Sequence, residues 1–362
     1  MIATTRSVSC GINGFGRFAL HLLKYWLQRR VKAHFHIEAI NDDLLDVEQA
    51  LEIIHGDPYV RFDEYCVWRE GDELRIQTLD GSERAIRYTN ESPSAVDWLG
   101  QPEVVLECSG KLTEARRCRF YLTGRTERVL ISATSWDSDA TLVYGFNHRT
   151  FNPAVHRLLS YGSCTVNGYV PLAQHIHDRY GVLDSDVNVV HNIVRHRLAE
   201  HDTLLRKPCT LERSAPRLLP FIDEGQNFVV TYSVVPWDGV SMIDFRFRCQ
   251  RPPASEQALV AELEAALGEG GALRGLYSMV DSDAGPQAHN CTPYSAVFVK
   301  EGIKLRRDNV YLQAYFDTEN SVNRYFDLLD YICESSASRV RPHTAVMPQS
   351  AARRGGGDVD VR

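Results

Sequence analysis

A thiol and an imidazole are the side chains of this sequence whose surroundings suggest covalent chemistry. Cys164 lies in GSCTVNG (162–168), among small and polar residues with no second cysteine nearby. An unperturbed thiol, with a pKa of about 8.5, is mostly protonated at neutral pH. A nucleophilic cysteine therefore needs a base, a cation or a helix N-terminus beside it. A helix predicted from Val166 supplies the last of these. His191 is the candidate base, 27 residues on, at the end of the strand-like DVNVV (186–190). A helix followed by a returning strand would bring the two side chains together. By spacing alone, a buried thiol and a structural histidine remain the other reading.

A glycine turn near the start points to a dinucleotide. Gly14-Phe15-Gly16-Arg17-Phe18-Ala19 fits GxGxxG/A. The first glycine makes the tight turn and the second admits a pyrophosphate to the backbone. Ala19 is small enough for close helix–strand packing. The phosphates would sit on the free N–H groups of the helix start. Asp42 falls 26 residues past Gly16, close to the offset of about 20 at which a carboxylate meets the ribose diol. A carboxylate there repels a 2′-phosphate, so NAD is expected over NADP. A structural turn followed by a solvated aspartate is the other reading.

The elements around these residues follow from periodicity. Residues 7–13 read as a buried strand. RFALHLLKYWLQRR (17–30) places Phe18, Leu22, Leu23, Trp26 and Leu27 on one helical face. HFHIEAIN (34–41) is the next strand, so the opening is one βαβ unit. Strand-like runs at 104–106, 128–131 and 141–144, with a helix predicted over 113–121, extend it to a parallel, doubly wound sheet. Residues 57–88 alternate and carry Glu-Gly-Asp and Asp-Gly turns, which suggests hairpins at that sheet's edge. Beyond Cys164 come a helix (166–180), a strand (186–190), long β-type runs (227–235 and 240–249), an amphipathic helix (256–267) and a final helix (320–332). The fold class expected is α/β: an N-terminal Rossmann-type domain followed by an α+β catalytic domain with a mostly antiparallel sheet. The polar, Arg- and Gly-rich end reads as a disordered tail.

Composition excludes several classes. A length of 362 residues predicts two domains. A net charge of −7 gives no global electrostatic reason to bind nucleic acid or anionic membrane. The N-terminus lacks the apolar region of a secretory signal, and no run approaches the roughly 20 apolar residues of a membrane span. Nine cysteines, irregularly spaced and without a CxxC pair, argue against a disulfide framework and against a zinc site. A cytoplasmic protein holding no metal is expected.

Taken in order, these segments resemble the glyceraldehyde-3-phosphate dehydrogenase family, including its erythrose-4-phosphate dehydrogenase branch. CGINGFGR (10–17) is similar to the family's opening turn, AIND (39–42) to its ribose-binding strand end, and ECSG (107–110) and ISAT (131–134) to its "ESTG" and "ISAP". YGSCTVN (161–167) resembles "NASCTTN", VVHN (189–192) the histidine segment, and FDTENSVNR (316–324) "YDNEFGYSNR". DATLVYGFN (139–147) looks more like the erythrose-4-phosphate branch. The likeness spans roughly residues 7–334. It implies Cys164 and His191 as catalytic residues, and NAD contacts at Asn13, Gly14, Phe15, Gly16, Arg17, Asp42, Ser109, Gly110, Ser132 and Thr318, with Asn320 offering a carboxamide where the family's asparagine has become Thr318. It implies a NAD-binding domain at 1–163, a catalytic domain at 164–319, a C-terminal helix at 320–336 returning to the first domain, and a tail at 337–362. A homotetramer is the family's assembly, and a homodimer is the alternative because an inter-subunit loop is shortened.

The departures concentrate at anion binding. The family's two hydroxyl residues after the histidine are here Val194 and His196, its "STGAAKA" loop has no counterpart, and its "RVPT" arginine and threonine fall on Val234 and Trp237. Ser163, Thr165 and Arg213 are kept, and Arg195, His196 and Arg197 are gained; these six are the substrate-binding candidates, since guanidinium suits phosphate and carboxylate. The function expected is NAD-dependent oxidation of a small aldehyde, phosphorylated or not, through a Cys164 thiohemiacetal and thioester. A catalytically weakened NAD-binding homologue and a phosphate-independent semialdehyde dehydrogenase are the alternatives.

Overall fold

The structure is a computed structural model that describes residues 7–193, 203–223, 225–236 and 239–337. The expected tail at 337–362 and the candidates Arg195, His196 and Arg197 lie outside the described residues, except Ala337.

The first sheet is built on β1 (Val8–Asn13), β2 (Phe35–Asn41), β3 (Cys66–Glu70), β4 (Glu73–Gln77), β5 (Glu83–Thr89), β6 (Val104–Glu107), β7 (Arg128–Ile131), β8 (Ala140–Thr141) and β9 (Leu158–Ser160). Their order is β3-β4-β5-β2-β1-β6-β7-β9-β8. β1 pairs in parallel with both β2 and β6, so the chain reverses its winding at β1. That reversal opens a crevice at the carboxyl ends of these strands. The β3–β4–β5 meander is antiparallel and occupies the edge, as the alternation at 57–88 predicts.

The second sheet comprises β10 (Val182–His191), β11 (Leu205–Arg206), β12 (Phe228–Val234), β13 (Ser241–Cys249), β14 (Tyr277–Val280), β15 (Ala296–Val299), β16 (Lys304–Arg306) and β17 (Asn309–Phe316). Its centre, β10-β13-β17, is antiparallel, while β10–β12 and β14–β15 run parallel.

Helices α1 (Arg17–Arg29), α2 (Val47–Gly56), α3 (Cys164–Tyr180), α4 (Thr210–Leu218), α5 (Glu256–Leu267) and α6 (Thr318–Ala337) cover the sheets. Leu20, Leu23 and Leu27 of α1 join Val322, Tyr325 and Leu329 of α6 in the core of the first sheet. The C-terminal helix thus returns to the first layer, carrying its N-terminus past the thiol. Three boundaries differ from expectation. The strand expected at 141–144 shrinks to β8. Residues 115–121 form a 3-10 helix whose start is fixed by Asp137, which accepts from the N–H groups of Ala115 and Arg116. α3 begins at Cys164 rather than Val166, because Ser163 caps it through the Val166 N–H.

α3 holds Cys164 in place despite an internal proline. Pro171 lacks the N–H that would satisfy the Asn167 carbonyl. The buried Tyr277 hydroxyl donates to Asn167 and Gly168 oxygens and accepts from Leu172 N–H, repairing the gap. Among the described residues no helix is long and apolar enough to cross a membrane, and all nine cysteines are free thiols.

Candidate active site

The glycine turn closes over the β1–β6 crevice. Gly14 has a φ of +92°, a left-handed conformation that L side chains rarely adopt. A Cβ there would lie 2.4 Å from backbone atoms of Ser109. At Gly16 the opposite holds: a Cβ would meet nothing within 4 Å. α1 starts at this open edge with no side-chain cap and no acid in its first turn, so its N–H groups are free for an anion. A groove of about 760 Å³ is lined by Gly14, Gly16, Asp42, Asp57, Ser109 and Lys111, among others. Its size and its free helix start fit a dinucleotide. Gly14→Ala is expected to cost about 2 kcal/mol or more through strain and clash, and to abolish NAD binding; urea unfolding and a NAD titration check both.

Several expected cofactor contacts turn out to shape the turn. Asn13 is buried, its amide donating to Glu107 and accepting from Asn41. Phe15 is fully buried against Tyr88, while its N–H donates to Asp42. Asp42 also accepts from the N–H groups of Leu44 and Leu45, which fixes its carboxylate at the groove wall. Ser109 donates to Glu107 through N–H and hydroxyl, Gly110 takes a φ of +69°, and the Ser132 N–H donates to the Glu107 carbonyl. Glu107 is the hub here. Burial raises its carboxyl above the usual range despite these donors.

Arg17 points elsewhere than a phosphate. Its Nε donates to Glu319 at 2.7 Å and its guanidinium to Asp57 at 3.0 Å. Only its backbone N–H belongs to the anion-facing helix start. Burial raises the Asp317 carboxyl, reinforced by the Glu319 charge. Glu319 goes the other way: burial would raise it, but the Asp317 hydrogen bond and the Arg17 charge outweigh burial and hold it ionised.

The thiol and the imidazole meet. Cys164 Sγ lies 3.7 Å from His191 Nε2, the outer edge of a sulfur hydrogen bond. His191 Nδ1 is 2.8 Å from the Asn192 carbonyl, which can only accept. That contact places the proton on Nδ1 and leaves Nε2 as an acceptor aimed at the sulfur. The imidazole is held by Phe316, edge to face, and by Tyr232. Burial lowers the His191 pKa, so the ring is neutral at neutral pH. Burial pushes the Cys164 thiol up to about 11, against the Thr318 hydroxyl and the Thr165 N–H, which lower it. Thr318 Oγ1 donates to Sγ at 3.7 Å. The resting state is thus a neutral thiol beside a neutral base. As the first residue of α3, Cys164 also presents a helix-start N–H to any oxyanion formed at its sulfur.

Among the substrate-binding candidates, Ser163 and Thr165 hydroxyls lie 3.0 Å apart, and Thr210 donates to Ser163 at 3.3 Å. Thr210 was not anticipated; only its place at the start of α4 reveals it. Val234 pairs in register with His191, an apolar side chain on the strand beside the base. Arg213 stacks on Trp136 at 4.6 Å. Asn320 is buried, its amide nitrogen donating to the His289 carbonyl and to Thr292, so the structure does not bring that group to Cys164. Glu319 and Asp57, which position the turn, were also missed; Glu319 was visible in the FDTEN segment.

No family model matches the chain. It is similar to curated proteins named glyceraldehyde-3-phosphate dehydrogenase. The testis-specific protein of Mus musculus is 26% identical over 350 residues, covering 90% of this chain and 75% of that protein. The protein of Claviceps purpurea is 26% identical over 352 residues, covering 92% and 100%. That of Mastigamoeba balamuthi is 29% identical over 338 residues, covering 88% and 96%. This likeness supports an NAD-dependent oxidoreductase that acts on an aldehyde.

Proposed function

We propose that the chain is a divergent member of the glyceraldehyde-3-phosphate dehydrogenase family, to whose curated members it is similar, and that it oxidises a small aldehyde with NAD through an acyl group carried on Cys164. The observation that supports this reading is the Cys164–His191 contact, with Nε2 left as acceptor by the Asn192 carbonyl. His191 takes the thiol proton as Sγ bonds to the carbonyl carbon. The carbonyl π electrons move to oxygen, which faces the Cys164 N–H and takes the proton back from His191, giving a thiohemiacetal and a neutral imidazole. His191 then removes that hydroxyl proton as the carbon loses its hydrogen with two electrons, and a thioester remains on Sγ. NAD bound in the groove would supply the acceptor for those two electrons and that hydrogen. An acyl acceptor attacks the thioester, the C–S bond breaks, and the sulfur regains a proton.

The choice of acceptor is part of the proposal. Val234 carries no charge beside His191, and the family's hydroxyl loop is missing, so water fits the acyl-release step better than phosphate. The same losses favour a substrate other than glyceraldehyde 3-phosphate. The Ser163–Thr165–Thr210 hydroxyls, with Arg195, His196 and Arg197, are the proposed substrate contacts.

The test mixes the purified chain with NAD and a panel of phosphorylated and unphosphorylated aldehydes, with and without phosphate or arsenate, and follows NADH absorbance. Turnover independent of phosphate and arsenate is the expected result. Strict dependence on either would overturn release by water, and no turnover with any aldehyde would count against the dehydrogenase reading. Light scattering of the same sample distinguishes a homotetramer from a homodimer.

A further inference from the structure

A second polar hollow lies away from the thiol, between the loop at 134–141 and α4. It encloses about 180 Å³ and is lined by Thr134, Trp136, Ser138, Thr141, Ser214 and Arg217, among others. That is below the roughly 300 Å³ at which sites for whole organic ligands begin, and it suits one charged group. Trp136 is 39% exposed, unusual for so large a side chain. Arg213 and Arg217 hold their guanidinium carbons 4.6 and 4.7 Å from its ring centroid. Four residues apart, the two arginines share one face of α4.

Two cations gathered on one ring repel each other unless an anion joins them. Among the described residues neither has a carboxylate partner. The acids of the facing loop are engaged elsewhere: Asp137 accepts from the N–H groups of Ala115 and Arg116, and Asp139 from those of Arg157 and Leu158. On the wall of the hollow, Thr134 Oγ1 is buried without a hydrogen-bond partner. A hydroxyl donor without an acceptor, beside two guanidinium groups without a counter-charge, is the complement of an oxyanion.

We infer that this hollow binds a phosphate group, either free inorganic phosphate or the phosphate of a small organic ester. It is separate from the hydroxyls beside the thiol. Thr210, which reaches Ser163, opens α4, and Ser214 lies one turn farther along, about 6 Å at 1.5 Å per residue. The site stands independently of the dehydrogenase reading.

Trp136 supplies the probe. Inorganic phosphate is titrated into the full-length protein at constant ionic strength, and tryptophan fluorescence is followed, with Trp136→Phe as the reference for the other tryptophans. The expected result is a saturable change, absent in Trp136→Phe and weakened tenfold or more in Arg217→Gln, with Arg217→Lys retaining more of the affinity. Thr134→Val is expected to weaken it severalfold. No saturation, the same curve with chloride, or an unchanged midpoint in Arg217→Gln would each overturn the site. A parallel titration with glycerol 3-phosphate assigns the source: tighter binding than free phosphate points to an ester, and weaker binding to the free ion, either order upholding the site. Thermal melts of the variants confirm folding. Because no turnover is needed, failure here and failure of the aldehyde assay are distinguishable.

Discussion

Cys164→Ser is expected to lower aldehyde-dependent NADH formation by at least about 10³-fold while leaving the fold intact, because an oxygen in this position cannot carry the thioester. Retention of activity within tenfold would remove the covalent step from the mechanism. The resting state of the pair gives a finer result. With its pKa pushed up to about 11, the thiol of the cofactor-free protein is thiolate only to about one part in 10⁴ at pH 7. Alkylation of Cys164 by iodoacetamide should therefore accelerate about tenfold per pH unit between pH 7 and 10. A plateau already reached near pH 8 would show a pre-formed thiolate and contradict the neutral pair. His191→Asn removes the proposed base, which would compensate for the high thiol pKa. It should cost about 10²–10⁴-fold in turnover, and the deficit should shrink as pH rises and the thiol ionises unaided. In the wild type, burial lowers the His191 pKa, so turnover that uses His191 as the proposed base should persist to pH values below 6.5 and fail only as pH falls through that depressed value.

These expectations draw on features of unequal legibility. The strand, glycine turn, helix and second strand were readable because their signals are local: apolar periodicity, a tight turn, an acid at a strand end. The Cys164–His191 pairing was readable too, since a helix and the next strand return a chain to its starting edge. The destination of the Arg17 guanidinium was not. It stands in the glycine motif, yet its partners Asp57 and Glu319 are 40 and 302 residues away. Charge complementarity at such separations has no periodic trace. Asn320 shows the converse: its spacing from Thr318 suggested a carboxamide for the cofactor, but two residues along α6, about 200° of rotation, turn it to the other face, toward His289 and Thr292. Strand polarity was hidden as well. β12 runs parallel to β10, and a β-rich sequence run carries no mark of its direction.

Arg17→Leu should produce the largest loss of stability. The Arg17 side chain is 22% exposed and its partners' side chains each 7%, so the pairs are largely shielded from water. Removing the cation strands an ionised Glu319 in a buried position, and breaking a buried pair from one side costs about 3–5 kcal/mol, here toward the lower end given the partial exposure. Glu319→Gln should cost less, because Arg17 keeps Asp57 and the amide needs no counter-charge. The double variant should recover about 1–3 kcal/mol relative to additivity, as measured by urea unfolding. Additive losses would mean that the contact is incidental. A pH series adds an independent readout. The Glu319 carboxyl is depressed in the folded state, so its stabilisation is present above its unfolded pKa of about 4.5 and is lost as pH falls through the depressed value. Asp317 is raised, so its own contribution has the opposite sign and declines as pH climbs through that raised value. Arg17→Leu should therefore flatten the acid limb of the stability curve. Function should suffer with stability. Arg17 opens the helix whose uncapped start is the proposed phosphate site, and Glu319 follows Thr318, whose hydroxyl contacts Cys164. The same ion pair thus ties the cofactor turn to the nucleophile, and in Arg17→Leu both NAD affinity and Cys164-dependent turnover should fall at temperatures where the variant remains folded.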